Sequence, residues 1–246
     1  PGVTLGAQRL NVFQAAATVW GRALRSNVTI QVLSQFNSQF CDAGSAVLGS
    51  AGPDTAFRDF AGAPVPATWY VVAVANSRTN GDLDPGVADI NATFNSNLDL
   101  GNPGCLGGIS WSYVLGGPPP GGTVDLLPTV LHELGHGLGV LSLHNLGTGA
   151  KLLGFDDAYL RLLRNESTGE GWSTMTDGER LTSQVNTGNL TWTGTFANSQ
   201  TAAFSAGVNT GRMRMYAPNP VEPGSSVSHF DTALSPNELM EPILTA

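Results

Sequence analysis

The sequence predicts an α/β (α+β) fold with an N-terminal lobe that ends on a strongly apolar helix and a C-terminal lobe of different character. A helical apolar repeat near the N-terminus is followed by β-branched segments and then by a strongly apolar helix around residue 130. Beyond Val140 the character of the chain changes, and from about Gly188 it is rich in Gly, Thr, Asn and Pro, which is typical of loops with short strands. With 41% hydrophobic residues, the 246-residue chain can bury one sizeable core or a core divided by a cleft. We therefore expect a single domain over residues 1–246, with an N-terminal lobe over 1–140 and a C-terminal lobe over 141–246.

The N-terminal lobe is expected to contain a first helix and a twisted mixed sheet. Apolar residues from Leu10 to Leu24 recur at helical spacing, which predicts a helix that packs on the sheet. The strands that follow are indicated in one of two ways: by β-branched residues that alternate with polar ones, or by a continuous run of apolar residues. The predicted strands cover residues 28–33, 68–75, 89–95 and 108–115, and a loop rich in Gly and Pro follows at 116–122.

A strongly apolar helix ends the N-terminal lobe. Asp125 is a suitable N-cap, and it places Pro128 in the first turn, where the missing N–H breaks no helical hydrogen bond. Gly139 can adopt a positive φ and turn the chain away at the other end. The sequence therefore predicts a helix between these two signals.

The C-terminal lobe contains weaker helical signals. Residues 155–163 keep helical spacing of apolar side chains, with acidic residues in the first turn, and they predict a helix. Thr176 and Glu179 form a capping box that opens a second short helix. From about Gly188 onward, the composition predicts loops with short strands.

Two histidines in the apolar helix have the spacing of zinc ligands. His132 and His136 are four residues apart, so they project from the same helix face within reach of one ion. Glu133 lies beside them, where a carboxylate can accept a proton from water that zinc has made acidic. A solvated face with two surface imidazoles is the alternative, but the helix is apolar on most sides, and buried imidazoles need partners. The pattern therefore indicates a metallohydrolase.

Zinc in a hydrolase needs three protein ligands and an open position, so a third ligand must be found. In metzincins with the pattern HExxHxxGxxH it would fall at position 142, which is Ser142 here. His144 is two residues too late for that geometry, and it could instead be a loop histidine hydrogen-bonded to the backbone. A glutamate on a following helix completes thermolysin-like sites. Glu166 or Glu170 could take that role, although both lie in a polar segment typical of a turn.

The segment 224–242 resembles the third-ligand and Met-turn region of the leishmanolysin family of metzincins. Its residues 238–242, ELMEP, fit the E-L-M-x-P setting of that family. Together with residues 124–140, this resemblance implies that His229 is the third zinc ligand and that Met240 forms a hydrophobic floor beneath the metal. It also implies a metzincin-like fold with the active site in the cleft, and a zinc endopeptidase whose catalytic domain is the whole chain.

The cysteines favour an extracellular protein. The chain has two, Cys41 and Cys105, where leishmanolysin itself is disulfide-rich. We expect them to form one disulfide, the alternative being two buried free thiols. With no visible membrane-anchoring tail and no signal peptide at Pro1, the sequence favours a processed, compact, secreted bacterial relative of that family.

Charge and hydropathy exclude several kinds of partner. The formal net charge is −8, and the eleven Lys and Arg residues are scattered, which argues against nucleic acid as a partner. No apolar run is long enough for a membrane span. A protein or peptide substrate is the expected partner, and the sequence does not determine the oligomeric state.

Calcium is a second candidate metal. Residues 80–86, with Asp82 and Asp84, offer carboxylates and carbonyls in a turn, which suits a hard cation. The same residues also make an ordinary turn without calcium, and they do not match a complete calcium-loop pattern.

These observations leave three hypotheses of function. The first is a secreted zinc endopeptidase in which Glu133 is the general base and residues 108–115 form an edge strand that pairs with an extended peptide. The second is a binding or adhesion module that keeps the fold without turnover. The third is a zinc hydrolase of a non-peptide amide or ester, because the metal and the base would be the same.

Overall fold

The computed structural model describes residues 2–99 and 101–243. These residues form two compact units. The first consists of the segment up to Thr55 together with Val72–Leu138, and the second consists of Ala56–Val71 together with the segment from Gly139 onward. The chain is a mixed α/β protein, with five α-helices and several small sheets among the described residues.

The α-helices are numbered in chain order. They are α1 (Leu5–Ala23), α2 (Val72–Thr79), α3 (Leu126–Gly137), α4 (Asp177–Ser183) and α5 (Thr195–Ser199).

The strands are short, and most have fewer than six residues. They are β1 (Val32–Asn37), β2 (Gly49–Pro53), β3 (Ala56–Phe57), β4 (Thr68–Val71), β5 (Ile90–Asn95), β6 (Ser110–Ser112), β7 (Thr123–Asp125), β8 (Asp156–Asp157), β9 (Leu163–Asn165), β10 (Glu170–Gly171), β11 (Leu190–Trp192), β12 (Val208–Asn209) and β13 (Arg212–Met213).

A three-stranded mixed sheet forms the centre of the first unit. Its middle strand, β5, pairs in parallel with β1, with Val32 opposite Ile90. On its other side β5 pairs antiparallel with β2, with Gly49 opposite Phe94. β1 and β2 are therefore the edges of this sheet. β6 and β7 form a separate parallel pair.

The core of the first unit lies where α1 and α3 pack together and α3 packs on β2 and β5. Phe13 of α1 contacts Phe94 of β5 edge to face, with 5.3 Å between the ring centroids. The indole N–H of Trp20 donates to the Leu131 carbonyl of α3 at 3.1 Å. The fully buried residues of this core include Val12, Ala16, Ile90, Phe94, Leu98, Leu126 and Val130.

The sequence-based boundaries of α3 are confirmed. The Asp125 side chain accepts a hydrogen bond from the Leu127 amide at 3.0 Å, as an N-cap does. Pro128 lies in the first turn. Gly139 has φ of 108° and follows the last helical residues, so the chain leaves the helix there.

Two strands of the first half differ from their predictions. The strand predicted at 28–33 lies at Val32–Asn37. The run predicted as one strand over 68–75 is a strand only as far as Val71, and Val72 begins α2. A short continuous apolar run has no periodicity that separates a buried strand from a buried helix, and Val72 and Ala75 are buried in either case. The strands predicted at 89–95 and 108–115 are present, the second shortened to Ser110–Ser112.

Three small sheets and a second core form the second unit. β4 lies between β3 and β8, β9 lies between β10 and β11, and β12 pairs with β13. This irregular architecture agrees with the loop-rich composition. The buried residues of its core are Tyr159, Leu160, Leu163, Trp172, Met175, Leu190, Met215, Ala217 and Val227.

The prediction of a helix over 155–163 is wrong. Asp156 and Asp157 form β8, a 3-10 turn covers Leu160–Leu162, and β9 follows. The buried Asp157 carboxylate accepts hydrogen bonds from the amides of Leu143 (2.8 Å) and Leu160 (2.6 Å). The apolar side chains still reach the core, so this tertiary anchor overrides the helical spacing.

The capping box that opens α4 is confirmed. The Thr176 hydroxyl accepts from the Glu179 amide at 3.4 Å, and the Thr176 amide donates to the Glu179 carboxylate at 2.6 Å. Arg180, on this helix, is buried and donates from Nε to the Gly149 carbonyl at 2.7 Å. The helix is therefore held both at its start and along its inner face.

The predicted disulfide is present. Cys41 and Cys105 are bonded, with 5.1 Å between their Cα atoms. Such a bond is consistent with an extracellular protein. Within residues 2–99 and 101–243, no helix combines the length and the hydropathy needed to cross a bilayer.

Candidate metal centre

Helix α3 brings two imidazoles together. His132 and His136 stand one turn apart, and their Nε2 atoms are separated by 3.1 Å. Two ligands of one tetrahedral zinc ion, each about 2.0–2.1 Å from the metal, are about 3.3 Å apart. The spacing predicted from the sequence therefore becomes a pair of nitrogen atoms at a separation that fits joint coordination.

His229 completes a group of three. One ligand atom from each of His132, His136 and His229 lies within 4.8 Å of the others. His136 and His229 are buried, and His132 is partly buried. Among the described residues, these three histidines are the one group of three or more His, Cys, Asp or Glu side chains that could hold a metal ion. Three imidazole donors suit zinc, copper, iron and nickel, so the donor set fits a transition metal.

The ring of His229 is oriented by its own loop. Its Nδ1 lies 2.7 Å from the Ser225 carbonyl, which can only accept a hydrogen bond, so Nδ1 carries the proton. In the neutral ring the lone pair is then on Nε2. Histidines that bind metals are commonly fixed in this way by a hydrogen bond from the other nitrogen. The Tyr216 amide also donates to the His229 carbonyl at 2.9 Å, which anchors the backbone.

Glu133 is buried beside the two helical histidines. Burial raises the pKa of its carboxyl group to about 8, and a hydrogen bond from the Ala51 amide of β2 opposes this rise. A divalent cation beside the carboxylate would also oppose it. β2 comes very close here, since a Cβ at Gly49 would lie 3.0 Å from Glu133 Cγ. The environment favours a carboxyl group that can gain or lose a proton near neutral pH.

A backbone hydrogen bond links Met240 to the residue that follows His229. It is buried, and its carbonyl accepts from the amide of Phe230, the residue after His229, at 2.8 Å. The turn at residues 238–241 is closed by the Glu238 amide, which donates to the Glu241 carboxylate at 2.8 Å. The role of Met240 as a floor beneath a metal stays a prediction.

The other candidate third ligands lie outside the group. His144 contacts Ser142 Oγ through Nδ1 (3.0 Å) and Gln184 Oε1 through Nε2 (3.2 Å), so its partners are side chains. Glu166 forms ion pairs with Arg164 and Arg212.

The turn considered for calcium is held by hydrogen bonds. Asp82 accepts from the Asp84 amide at 3.0 Å and from the Asn76 side chain at 3.4 Å. Within the described ranges, no carboxylates of this turn belong to a cluster of three or more metal-ligating side chains. Calcium at residues 80–86 therefore stays a prediction.

Sequence reasoning missed three contributors to the site. Gly49 leaves room for Glu133, Ala51 donates to its carboxylate, and Ser225 orients His229. The last two act through the backbone, which leaves no signal in the residue type. The residues 49–52, Gly-Ser-Ala-Gly, are small, and small residues are the usual sign of a close approach of the backbone.

Comparison of the chain with protein-family models, with curated proteins and with solved structures finds no match. The function is therefore inferred from the residues of the site and from their geometry.

Proposed function

We propose that this protein is a secreted, zinc-dependent endopeptidase similar to the leishmanolysin metzincins. In this proposal residues 1–246 are one catalytic domain, in which the lobe over 1–140 supplies the metal-binding helix and the lobe over 141–246 supplies the third ligand and the Met-turn. The observation that carries the proposal is the grouping of His132, His136 and His229 around one point. The disulfide supports the extracellular location.

Zinc is the metal that fits the proposal best. His132, His136 and His229 would supply three neutral nitrogen ligands, the number found in hydrolytic zinc sites that keep one position open. The HExxH pattern on a helix is also the usual zinc-binding arrangement in such hydrolases. When bound, zinc supplies a Lewis acid that polarises a carbonyl group and makes water more acidic.

Glu133 is proposed as the general base. Its carboxylate lies in the same helical turn as the ligands, where burial raises its pKa and a bound cation would oppose the rise. It would accept a proton from the attacking water and donate it to the leaving amine. The Ala51 amide holds the carboxylate in place during both transfers.

The substrate is proposed to be an extended peptide. Strand β2 supports this, because it is an edge of its sheet and its Ala51 amide reaches Glu133. A peptide added to such an edge would form main-chain hydrogen bonds close to the proposed base. The segment 108–115, expected from the sequence to serve as the edge strand, contributes β6, which is also an edge, in the separate two-stranded pair with β7. We assign peptide pairing to β2 because its Ala51 amide reaches the proposed base.

The test combines metal content with proteolysis. The protein is freed of metal with a chelator, dialysed and given zinc, and bound zinc is measured by mass spectrometry while cleavage of an unfolded protein is followed. We expect one zinc per chain and activity only with metal. Glu133→Gln should keep zinc and lose about 10²–10⁴-fold in rate. His229→Ala should lose zinc, while His144→Gln, changed at the other candidate histidine, should keep it.

Each outcome separates a different hypothesis. Undiminished cleavage by Glu133→Gln would show that the base is another group. Full zinc binding without cleavage of any unfolded protein would favour a binding module or a hydrolase of non-peptide amides or esters. Assays with small ester and amide substrates would then distinguish those two.

A further inference from the structure

A short segment of the second unit is linked to both residues that precede His229, directly to Val227 and through Ser142 to Ser228. The segment is Asp157–Tyr159, which begins in β8, and both of these side chains are buried. The residues that it holds are Val227 and Ser228. We call this arrangement the 157–159 clamp.

One arm of the clamp is direct. The Tyr159 hydroxyl donates a hydrogen bond to the Val227 carbonyl at 3.0 Å, in a fully buried environment. Because Val227 lies two residues before His229, this bond fixes the course of the backbone that leads to the ligand.

The second arm passes through Ser142. The Ser142 hydroxyl donates to the Asp157 carboxylate at 3.1 Å, and the Ser142 amide donates to Ser228 Oγ at 3.2 Å. The same Asp157 oxygen also accepts from the Leu143 amide at 2.8 Å, so two hydrogen bonds to this one oxygen fix the position of residues 142–143. This arm reaches the residue directly before His229.

The backbone held in this way is strained. Val227 is β-branched, completely buried and has φ of 73°, in the left-handed region that such residues rarely adopt. Its amide donates to the Tyr216 carbonyl at 2.8 Å. A strained conformation persists only where its surroundings hold it, and here the Tyr159 and Tyr216 contacts do so.

We propose that the 157–159 clamp positions His229 for metal binding, with Tyr159 and Asp157 acting as positioning residues. The inference rests on the metal site of the proposed function. If the Tyr159 hydroxyl is lost, Val227 can relax toward negative φ, and the imidazole of His229 moves with it. In the shorter metzincin pattern, position 142 holds the third metal ligand. Here Ser142 instead connects Asp157 to Ser228, the residue directly before His229.

The test measures metal binding in the whole chain. Zinc affinity is obtained by competition with a chromophoric chelator, and the visible absorption of the Co²⁺-loaded protein reports ligand geometry. We expect Tyr159→Phe to weaken zinc binding by about 10–100-fold, the usual effect of removing a partner that orients a ligand, and to change the Co²⁺ spectrum. Ser228→Ala should weaken binding in the same direction. Tyr113→Phe removes a comparable hydroxyl hydrogen bond, to Asp99, and should leave both readouts unchanged.

A second variant separates positioning from general destabilisation. Glycine adopts φ near 73° without strain, so Val227→Gly should reduce the penalty of Tyr159→Phe when the two are combined. A general loss of stability would instead make the combination worse. Equal zinc affinity and identical Co²⁺ spectra for wild type and Tyr159→Phe would overturn the clamp and leave the metal site intact. Absence of zinc binding in the wild type would overturn both proposals.

Discussion

Gly137 packs directly against Ile90, so closely that a Cβ at position 137 would lie 2.3 Å from Ile90 Cγ2. Gly137 is in the last turn of α3, and Ile90 is a buried residue of the central strand β5. The helix that carries His132 and His136 therefore touches the sheet at its backbone. This close contact lies one residue after His136, so it helps to set where that imidazole stands.

Gly137→Ala should destabilise the protein, although alanine is the better helix former. Ile90 is β-branched and only 1% exposed, so it cannot move away, and overpacking of this kind costs about 1–3 kcal/mol. Unfolding in urea measures the loss, and zinc content should fall with it. Gly21→Ala in α1 is the matched control, because a Cβ there meets nothing within 4 Å and should stabilise by up to about 1 kcal/mol. Equal stability of the two variants would contradict this account.

Gly49→Ala should impair the reaction while leaving the metal bound. A Cβ at Gly49 would lie 3.0 Å from Glu133 Cγ and 3.1 Å from Oε1, so the carboxylate must shift by a few tenths of an ångström. Small displacements of a catalytic group are costly, and we expect a loss on the order of 10-fold in kcat. Gly6→Ala, in α1, has open space around its Cβ, and it should keep full activity. Zinc content and kcat are measured for both variants. Equal kcat values would show that a Cβ at position 49 does not displace the Glu133 carboxylate.

The sequence was most informative where the signals are local. The start of α3 could be predicted because Asp125 caps it with its own side chain, and the end because Gly139 adopts a positive φ. The spacing of His132 and His136 likewise follows from the helical turn alone. His229 is far along the chain, so no local period predicts it, and only the resemblance of its segment to a known family pointed there.

The failures arose where tertiary contacts decide. Residues 155–163 have helical spacing, but Asp157 binds amides from a neighbouring loop and holds the segment extended. Residues 72–75 are as apolar as a buried strand, but they are helical. The importance of Gly49 and of the Ser225 carbonyl depends on distances between segments, which composition does not encode.

Removal of the disulfide should destabilise the protein without removing the metal site. Cys41 and Cys105 are 64 residues apart, and closing a loop of this length contributes about 4 kcal/mol on the chain-entropy model. The double variant Cys41→Ser/Cys105→Ala should therefore unfold at a markedly lower urea concentration. Reduction of the wild type with a thiol should reproduce the shift. Zinc content of the folded variant should stay at the wild-type level, and a loss of zinc at low urea would show that the disulfide acts on the site directly.

His144 should make the protein sensitive to mild acid. Burial lowers the pKa of this histidine, the charge of Arg180 lowers it further, and the hydrogen bond with Gln184 opposes both. The folded state therefore binds the proton less readily than the unfolded chain, in which a histidine has a pKa of about 6.5. Stability is retained above that pH and falls as the pH decreases through the lowered pKa, with a slope of at most about 1.4 kcal/mol per pH unit from this group.

His144→Gln keeps a polar side chain beside Ser142 and Gln184 but cannot titrate. Unfolding free energies of both metal-free proteins, measured between pH 7.5 and 5, should show a shallower acid decline for the variant. Parallel curves would mean that His144 does not contribute to the acid response.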